Sequence, residues 1–213
     1  MNNTIYLVRH GQSYSNAGIY EKNQTEIDTT LTEKGIEQAK ARAVEFASTP
    51  FSASYSSDLI RAIQTAEIIA APHGLKVIQT PLLRERKYAP PGDEEALRTS
   101  VRGLNHILDI QNGMSEDEKF AYKSNPDMEN GSEVVERVMK FFRSLEQSHK
   151  GETILVVSHG NTMRTLLFYL GYAKHHEIPA GSVINTGFVR LSQAGGSVKV
   201  EELSGVKVVR NIP

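Results

Sequence analysis

Two short stretches of the chain decide its fold class: IYLVRHG at residues 5–11 and TILVVSHG at residues 153–160. Each is a run rich in apolar and β-branched residues that ends in a histidine followed by a glycine. Runs of this kind predict strands buried on both faces, as in a parallel sheet. Helical patterns fill much of the chain between them, and alternating strands and helices predict an α/β fold.

Capping and stop signals predict where the helices begin and end. Thr32 is the predicted N-cap of a helix whose apolar stripe reaches Phe46 and which ends before Pro50. A second helix is predicted to start at Ser57 or Asp58 and to stop at the Pro-His-Gly sequence of residues 72–74. Further helices are predicted over Glu94–Ile110, Ser132–Leu145 and Asn161–Tyr169, and weak strands over Ala53–Ser56 and Lys76–Gln79.

The last part of the chain completes the predicted architecture. Val183–Leu191 and Ser197–Leu203 flank an Ala-Gly-Gly turn at residues 194–196, a pattern typical of a β-hairpin. We therefore predict a single domain over residues 1–213. It is an α/β three-layer sandwich, with a mostly parallel central sheet flanked by helices and the C-terminal β-hairpin at the edge.

Composition excludes several classes of function. The 213 residues include no cysteine, which excludes a disulfide scaffold, a thiolate zinc site and a cysteine nucleophile. Lys and Arg total 24 against 25 Asp and Glu, so no overall field attracts the protein to nucleic acid or to an anionic membrane. No apolar run approaches the roughly 18 residues of a membrane helix, and the amino terminus leads directly into a strand-like segment. We expect a cytoplasmic protein that binds neither nucleic acid nor membrane, with its oligomeric state left open.

Two of the seven histidines stand out by their position. His10 and His159 each follow a predicted buried strand, and loops at the carboxyl ends of parallel strands build the ligand crevice of an α/β sheet. Each precedes a glycine, which permits a sharp turn and a close approach to a ligand. One His-Gly pair alone is better explained as a turn, but two pairs after two buried strands favour a functional site.

Arg61 and Arg9 indicate the kind of ligand. A helix N-terminus carries free N–H groups and partial positive charge. The helix dipole therefore does not stabilise the positive charge of Arg61 in a first turn, but it would stabilise a bound anion there. Arg9 lies beside His10 in the sequence, so the guanidinium groups of Arg9 and Arg61, together with backbone donors, are predicted to form a pocket for a phosphate group. The simpler alternative is a surface Arg61 paired with Asp58 or Glu67.

A phosphomonoester in such a pocket suits attack by a neutral imidazole. His10 would attack phosphorus and form a phosphohistidine that water later cleaves. Arg9, Arg61 and His159 would stabilise charge on the phosphoryl oxygens. The leaving oxygen needs a proton donor, for which Glu85 is the leading candidate because it follows a strand at the correct end of the sheet. Weaker candidates for this donor are Asp93, Glu94 and Glu95.

Four motifs spread over most of the chain carry a resemblance to a known family. They are RHGQSYSN at residues 9–16, LTEKGIEQA at 31–39, SDLIRAIQTA at 57–66 and VVSHGNTMR at 156–164. Together they resemble the histidine phosphatase superfamily, in its phosphoglycerate-mutase-like branch. The resemblance implies phosphorylation of His10, and a proton donor at Glu85. It implies that Arg9, Arg61 and His159 surround the phosphoryl group, that Asn16 and the backbone of Gly160 hold oxygens, and that neither a metal nor another cofactor is needed.

The segment after Glu85 departs from many family members, which continue with glycine and then Trp-Glu-Gly. Here RKYAPP follows at residues 86–91. The order Glu85-Arg86-x-Tyr88 is similar to mutases whose arginine and tyrosine touch the substrate, so Arg86 and Tyr88 are candidate substrate-binding residues. We expect the irregular segments 80–93 and 111–131 to set specificity.

Several functions stay open at this point. The leading hypothesis is a phosphatase that acts on a small phosphorylated metabolite and releases inorganic phosphate. The alternative is a cofactor-dependent phosphoglycerate mutase-type transfer, which must exclude water and return the phosphoryl group to the substrate. A binding protein on an inactive phosphatase fold is disfavoured because all the matched catalytic positions are filled. A metal-dependent hydrolase is disfavoured because its ligand patterns are absent, and because His175, His176 and Glu177 are expected to be solvated loop residues.

Overall fold

The structure, a computed structural model, describes residues 2–19, 28–87, 113–123 and 128–210. The helix predicted over Glu94–Ile110 lies outside these ranges, as do Tyr88 and the alternative proton donors at positions 93–95. Parts of both segments that we expect to set specificity also lie outside them.

One six-stranded sheet forms the centre of the described fold. Its strands are β1 (Asn3–Arg9), β2 (Phe51–Ser57), β3 (Val77–Thr80), β4 (Thr153–Ser158), β5 (Val183–Ala194) and β6 (Ser197–Val206). They lie in the order β3-β2-β4-β1-β5-β6. The first four strands in this order pair in parallel, β5 is antiparallel to β1, and β6 is antiparallel to β5. The predicted parallel sheet with a C-terminal hairpin at its edge is therefore confirmed.

Helices cover both faces of this sheet. They are α1 (Glu33–Glu45), α2 (Ile60–Ala70), α3 (Glu116–Ala121), α4 (Gly131–Ser148) and α5 (Gly160–Tyr169), with single 3₁₀ turns at Ala71–His73 and Pro81–Leu83. Along β4, Ile154 and Val156 belong to an apolar cluster that includes residues of α4 and α5. Leu155 and Val157 point the other way, into a second cluster with α2. Alternation on a strand buried on both faces gives the three layers that we predicted.

None of the helices that the structure describes is both long and apolar enough to cross a bilayer.

One helix start follows its predicted signal, and a second has a capping box that the sequence analysis did not identify. The Thr32 hydroxyl accepts a hydrogen bond from the backbone N–H of Gly35 at 3.1 Å, which confirms it as the N-cap of α1. At α4, the Asn130 side chain accepts from the Glu133 N–H at 3.0 Å, and the Glu133 carboxylate accepts from the Asn130 N–H at 2.9 Å. This reciprocal capping box satisfies donors that the first turn would otherwise leave free.

The start of α2 differs from the prediction. Ser57 is the last residue of β2, and Asp58 precedes the helix, which begins at Ile60 with Leu59 as its N-cap residue. The side chain of Leu59 has no atom that can accept a hydrogen bond. Instead, Asp28 accepts from the backbone N–H of Ile60 at 2.6 Å. The cap comes from a different part of the chain, so a local pattern could not locate it.

The pairing of β1 with β4 positions the two histidines. The strands are parallel and in register, with Arg9 opposite Ser158, and the His10 N–H donates to the Ser158 carbonyl at 3.0 Å. His10 and His159 therefore leave adjacent strands side by side at the carboxyl edge of the sheet.

Candidate active site

The rings of His10 and His159 lie together in the interior. Their centroids are 5.0 Å apart, and the two residues are 2% and 0% exposed. His10 comes from the end of β1, and His159 is the N-cap residue of α5. The structure thus brings together two histidines that are far apart in the sequence.

Hydrogen bonds define the tautomer of His10. Its Nδ1 lies 2.7 Å from the carbonyl oxygen of Gly11, which can only accept, so Nδ1 carries the proton. Arg61 Nε, which can only donate, lies 3.3 Å from His10 Nε2. Nε2 therefore holds a lone pair. Burial, followed by the charges of Arg61 and Arg9, keeps the pKa of His10 well below its usual value, so the ring is neutral at neutral pH.

Arg61 and Arg9 supply positive charge around His10. Arg61 stands in the first turn of α2, as expected, and is 7% exposed, so the alternative of a surface arginine does not apply. Arg9 is the last residue of β1, and its NH1 donates to the carbonyl oxygen of Val183 at 2.5 Å. Burial lowers the pKa of both guanidinium groups, and the nearby Glu85 carboxylate opposes that effect.

Gly160 leaves room for the Arg9 side chain. A Cβ atom at position 160 would lie 3.2 Å from Arg9 Nε, closer than most Cβ atoms approach a neighbour, and 3.4 Å from its Cδ. Arg9 Nε has no hydrogen-bond partner within the part of the chain that the structure describes. Neither ring nitrogen of His159 has one there, although both are buried. Buried donors and acceptors without partners are rare, and their concentration here indicates a ligand site.

Glu85 reaches the same place from the opposite side. It follows the 3₁₀ turn after β3, and its carboxylate lies at the N-terminus of α5. Oε1 accepts from the backbone N–H of Thr162 at 3.0 Å and of Arg86 at 2.8 Å. Oε2 accepts from the backbone N–H of Asn161 at 3.2 Å and from its side-chain Nδ2 at 3.4 Å. The free N–H groups of a helix start thus hold the candidate proton donor in place.

Asn16 and the start of β5 support the loop after β1. Asn16 Oδ1 lies 3.5 Å from Arg9 NH2 and 3.2 Å from Asn185 Nδ2. Asn185 Nδ2 also donates to the carbonyl oxygen of His10 at 3.1 Å. Because Asn16 Oδ1 faces these donors, its Nδ2 is left to donate elsewhere. The neighbouring Thr186 is buried with a φ of 56°, an uncommon value for a β-branched residue.

These side chains line one cavity of about 190 Å³ at the carboxyl edge of the sheet. Pockets for drug-sized ligands are about 300–1,000 Å³, so this one suits a small ligand. Its lining includes the predicted residues Arg9, His10, Asn16, Arg61, Glu85 and Gly160. His159 lies behind it against the His10 ring. Arg86 is not part of the lining, because its Nε donates to the carbonyl oxygen of Glu129 at 2.8 Å.

The sequence analysis missed five residues of the cavity wall: Ser15, Asn161, Arg164, Gly181 and Val183. Asn161 directly follows Gly160 in the motif VVSHGNTMR, and Arg164 ends that motif. Residues three positions apart on a helix are neighbours, so the motif itself carried the signal.

The expectation for His175 was wrong. Its side chain is only 21% exposed, and its ring lies 4.2 Å from the ring of Phe168. Burial, aided by the charge of Arg164, lowers the pKa of His175 to about 4. His176 is 54% exposed, as expected. Among the described residues, no group of three or more histidine, cysteine, aspartate or glutamate side chains could hold a metal ion.

Comparison with known proteins identifies the family. The sequence profile of the histidine phosphatase superfamily (branch 1) matches residues 5–204. The chain belongs to the histidine phosphatase superfamily. It is similar to the 2,3-bisphosphoglycerate-dependent phosphoglycerate mutase of Parvibaculum lavamentivorans, with 30% identity over 222 residues that cover 95% of this chain and 97% of the relative.

Other histidine phosphatase relatives differ in their activities. The metal-independent phosphoserine phosphatase of Arabidopsis thaliana is 31% identical, over 85% of this chain and 72% of the relative. The crystal structure of phosphoglycerate mutase from Bacillus anthracis has the same fold, with a TM-score of 0.77 and 24% identity over 96% of this chain and 93% of that one. Superfamily membership therefore supports an enzyme of phosphoryl chemistry, and the relatives include both mutases and phosphatases.

Proposed function

We propose that this histidine phosphatase hydrolyses the phosphomonoester of a small phosphorylated metabolite through a phosphohistidine at His10. The observation that carries the proposal is the neutral His10 ring with its Nε2 lone pair beside two guanidinium groups, the buried one of Arg61 and the partly buried one of Arg9. A neutral imidazole is a nucleophile, and buried cations compensate the charge of a phosphoryl group.

The first step transfers the phosphoryl group to the enzyme. His10 Nε2 attacks phosphorus, the bond between phosphorus and the ester oxygen breaks, and Glu85 gives its proton to the departing oxygen. The alcohol leaves and phosphohistidine stays.

The second step returns the enzyme to its first state. A water molecule gives a proton to the Glu85 carboxylate as its oxygen attacks phosphorus, and the bond between phosphorus and Nε2 breaks. Inorganic phosphate leaves. Both steps follow the geometry in which Glu85 and His10 line one small cavity.

Positive charge and hydrogen-bond donors stabilise both transition states. Arg9 lines the cavity, and its Nε has no partner among the described residues, so this donor is available to the phosphoryl oxygens. The His159 ring, whose nitrogens also lack a partner there, packs against His10 behind the cavity and supports the phosphoryl group from that side. Arg61 adds a guanidinium whose Nε already faces His10 Nε2. Each such donor contributes about 3–4 kcal/mol to lowering the barrier, by analogy with oxyanion-hole donors.

A phosphoglycerate mutase-type transfer is the second candidate, favoured by the similarity to the bisphosphoglycerate-dependent mutase. Incubation with 3-phosphoglycerate and a trace of 2,3-bisphosphoglycerate separates the two. Formation of 2-phosphoglycerate indicates a mutase, and release of inorganic phosphate indicates a hydrolase. A panel of phosphorylated metabolites with phosphate release as the readout then identifies the substrate.

Trapping of the intermediate tests the common mechanism. A radiolabelled phosphoryl donor should give a labelled protein whose label is acid-labile and base-stable, as expected for phosphohistidine. The label should disappear in His10→Ala and persist in His176→Ala, in which an exposed histidine is removed. Labelling that survives in His10→Ala, or activity that is lost in chelator and restored by zinc or magnesium, would overturn the proposal.

A further inference from the structure

We propose that Arg164 is a positioning residue that orients the Glu85 carboxylate through the side-chain amide of Asn161. This inference rests on the proposed function, in which Glu85 is the proton donor. It assigns a role to the last residue of the motif VVSHGNTMR, which the mechanism above does not use.

Asn161 holds one carboxylate oxygen of Glu85 through two donors. Its backbone N–H lies 3.2 Å from Glu85 Oε2, and its side-chain Nδ2 lies 3.4 Å from the same oxygen. The backbone donor is fixed by the helix. The side-chain donor is not, because an amide that turns by half a revolution exchanges its NH₂ group for its oxygen.

Arg164 determines which way that amide faces. Its NH1 donates to Asn161 Oδ1 at 2.9 Å, and its Nε donates to the carbonyl oxygen of Ile178 at 2.6 Å. A guanidinium has donors only, so the amide oxygen must face Arg164 and the amide nitrogen must face Glu85. The second bond fixes the guanidinium itself against the segment that precedes β5.

Without Arg164, the amide is free to turn and to present Oδ1 to Glu85 Oε2. Two acceptors facing each other repel, so the carboxylate would leave the position from which it protonates the ester oxygen. The chemical consequence depends on the leaving group. A basic phenolate needs the proton, whereas a nitrophenolate is stable enough to leave without it.

Paired esters measure this dependence. The rates with phenyl phosphate and p-nitrophenyl phosphate are compared in the wild type, Glu85→Gln and Arg164→Met. Glu85→Gln sets the scale, with a loss of about 10²–10⁴-fold for phenyl phosphate and a much smaller loss for p-nitrophenyl phosphate. Arg164→Met should lower kcat for phenyl phosphate about tenfold, the value of one charge-assisted hydrogen bond, and leave p-nitrophenyl phosphate nearly unchanged. Arg143→Met removes an exposed arginine of α4 and should change neither rate.

A double-mutant cycle tests the route through the amide. If Arg164 acts through Asn161, then Asn161→Ala should show the same preference for the better leaving group, and adding Arg164→Met should cause little further loss. Asn161→Ala also keeps the bond between Arg164 and Ile178 available, so it remains informative if Arg164→Met lowers stability.

The outcomes separate the inference from the proposed function. Equal losses for both esters in Arg164→Met would overturn the positioning role and indicate a structural one. A rise in KM for both esters would indicate direct binding of the ester by Arg164 and would also overturn it. Additive losses in the cycle would exclude the route through Asn161. If Glu85→Gln itself shows no preference between the esters, the proposed role of Glu85 fails and the inference fails with it.

Discussion

The carbonyl oxygen of Gly35 occupies the space that a side chain on Gly11 would need. A Cβ atom built at Gly11 would stand 2.5 Å from this oxygen, and one built at Gly35 would stand 2.0 Å from the carbonyl oxygen of Gln12. The loop after β1 and the first turn of α1 are therefore in direct backbone contact. The contact explains why a glycine is needed in LTEKGIEQA, which contributes no residue to the cavity lining, as well as in RHG.

Gly35→Ala should destabilise the protein. The methyl group would collide with backbone, which cannot yield as a flexible side chain does, and overpacking of this kind costs about 1–3 kcal/mol or more. Urea unfolding should show the loss as a lower midpoint. Gly113→Ala is the matched control, because a Cβ there meets nothing within 4 Å. Equal midpoints for the two variants would contradict the packing argument.

The stability of the fold should fall as the pH falls below 6.5. The pKa values of His10 and His159 lie well below 6.5 in the folded protein, mainly because of burial, and that of His175 lies at about 4. Between these values and 6.5 the unfolded chain binds protons that the folded one does not. Each fully buried histidine therefore removes up to about 1.4 kcal/mol per pH unit.

Urea unfolding at pH 7.0, 6.0 and 5.0 measures this slope. Carboxylates with lowered pKa, such as Glu129, act below their usual range near 4.5, so they add little in this window. His159→Gln should reduce the slope, because it removes one group that binds a proton only when unfolded. A slope that His159→Gln leaves unchanged would show that this ring is protonated in the folded state.

The local pattern predicted much of the fold, and its errors have a common physical cause. The runs in β1 and β4 and the Thr32 cap depend on neighbouring residues, so the sequence displays them directly. The start of α2 depends on Asp28, and the burial of His175 depends on Phe168. Such partners are distant in sequence or are brought together only by the fold.

The candidate site was predicted in the same uneven way. The register of β1 and β4 makes the meeting of His10 and His159 a consequence of topology, which an α/β pattern already predicts. The motif VVSHGNTMR placed Asn161 and Arg164 near the site, but the hydrogen bonds that their side chains make depend on rotamers and packing, which the motif does not report. Arg86 shows the converse, since a matching order of residues left it bonded to Glu129 and away from the cavity lining.

Arg61→Lys keeps the positive charge but should still lower the catalytic rate strongly. Arg61 Nε faces His10 Nε2 at 3.3 Å, and only a guanidinium offers further donors in a planar fork for phosphoryl oxygens. We expect kcat to fall about 10²–10³-fold, as for loss of an oxyanion donor. Inhibition by inorganic phosphate should weaken as well. Arg190→Lys, in a partly exposed ion pair with Glu202, should leave both values close to the wild type.

Asn185→Asp tests whether the start of β5 holds the reactive loop. In the structure Asn185 Nδ2 donates to the His10 carbonyl oxygen at 3.1 Å and to Asn16 Oδ1 at 3.2 Å. Aspartate would place a carboxylate oxygen, in place of the Nδ2 donor, against the His10 carbonyl oxygen and Asn16 Oδ1. These acceptors repel one another, so the His10 loop should shift and Asn16 should lose its orientation. Removal of such bonds at a partly buried site costs about 1–3 kcal/mol of stability.

Asn185→Asp should lower the rate of phosphohistidine formation at His10 by more than its loss of stability explains. Because His10 must aim Nε2 at phosphorus, a small displacement lowers the rate of phosphohistidine formation strongly, even in molecules that remain folded. Rapid-quench labelling at a temperature where Asn185→Asp is fully folded measures that rate, and Asn2→Asp, at an exposed position, is the control. Labelling at the wild-type rate would mean that β1 and Arg61 alone hold the imidazole in place.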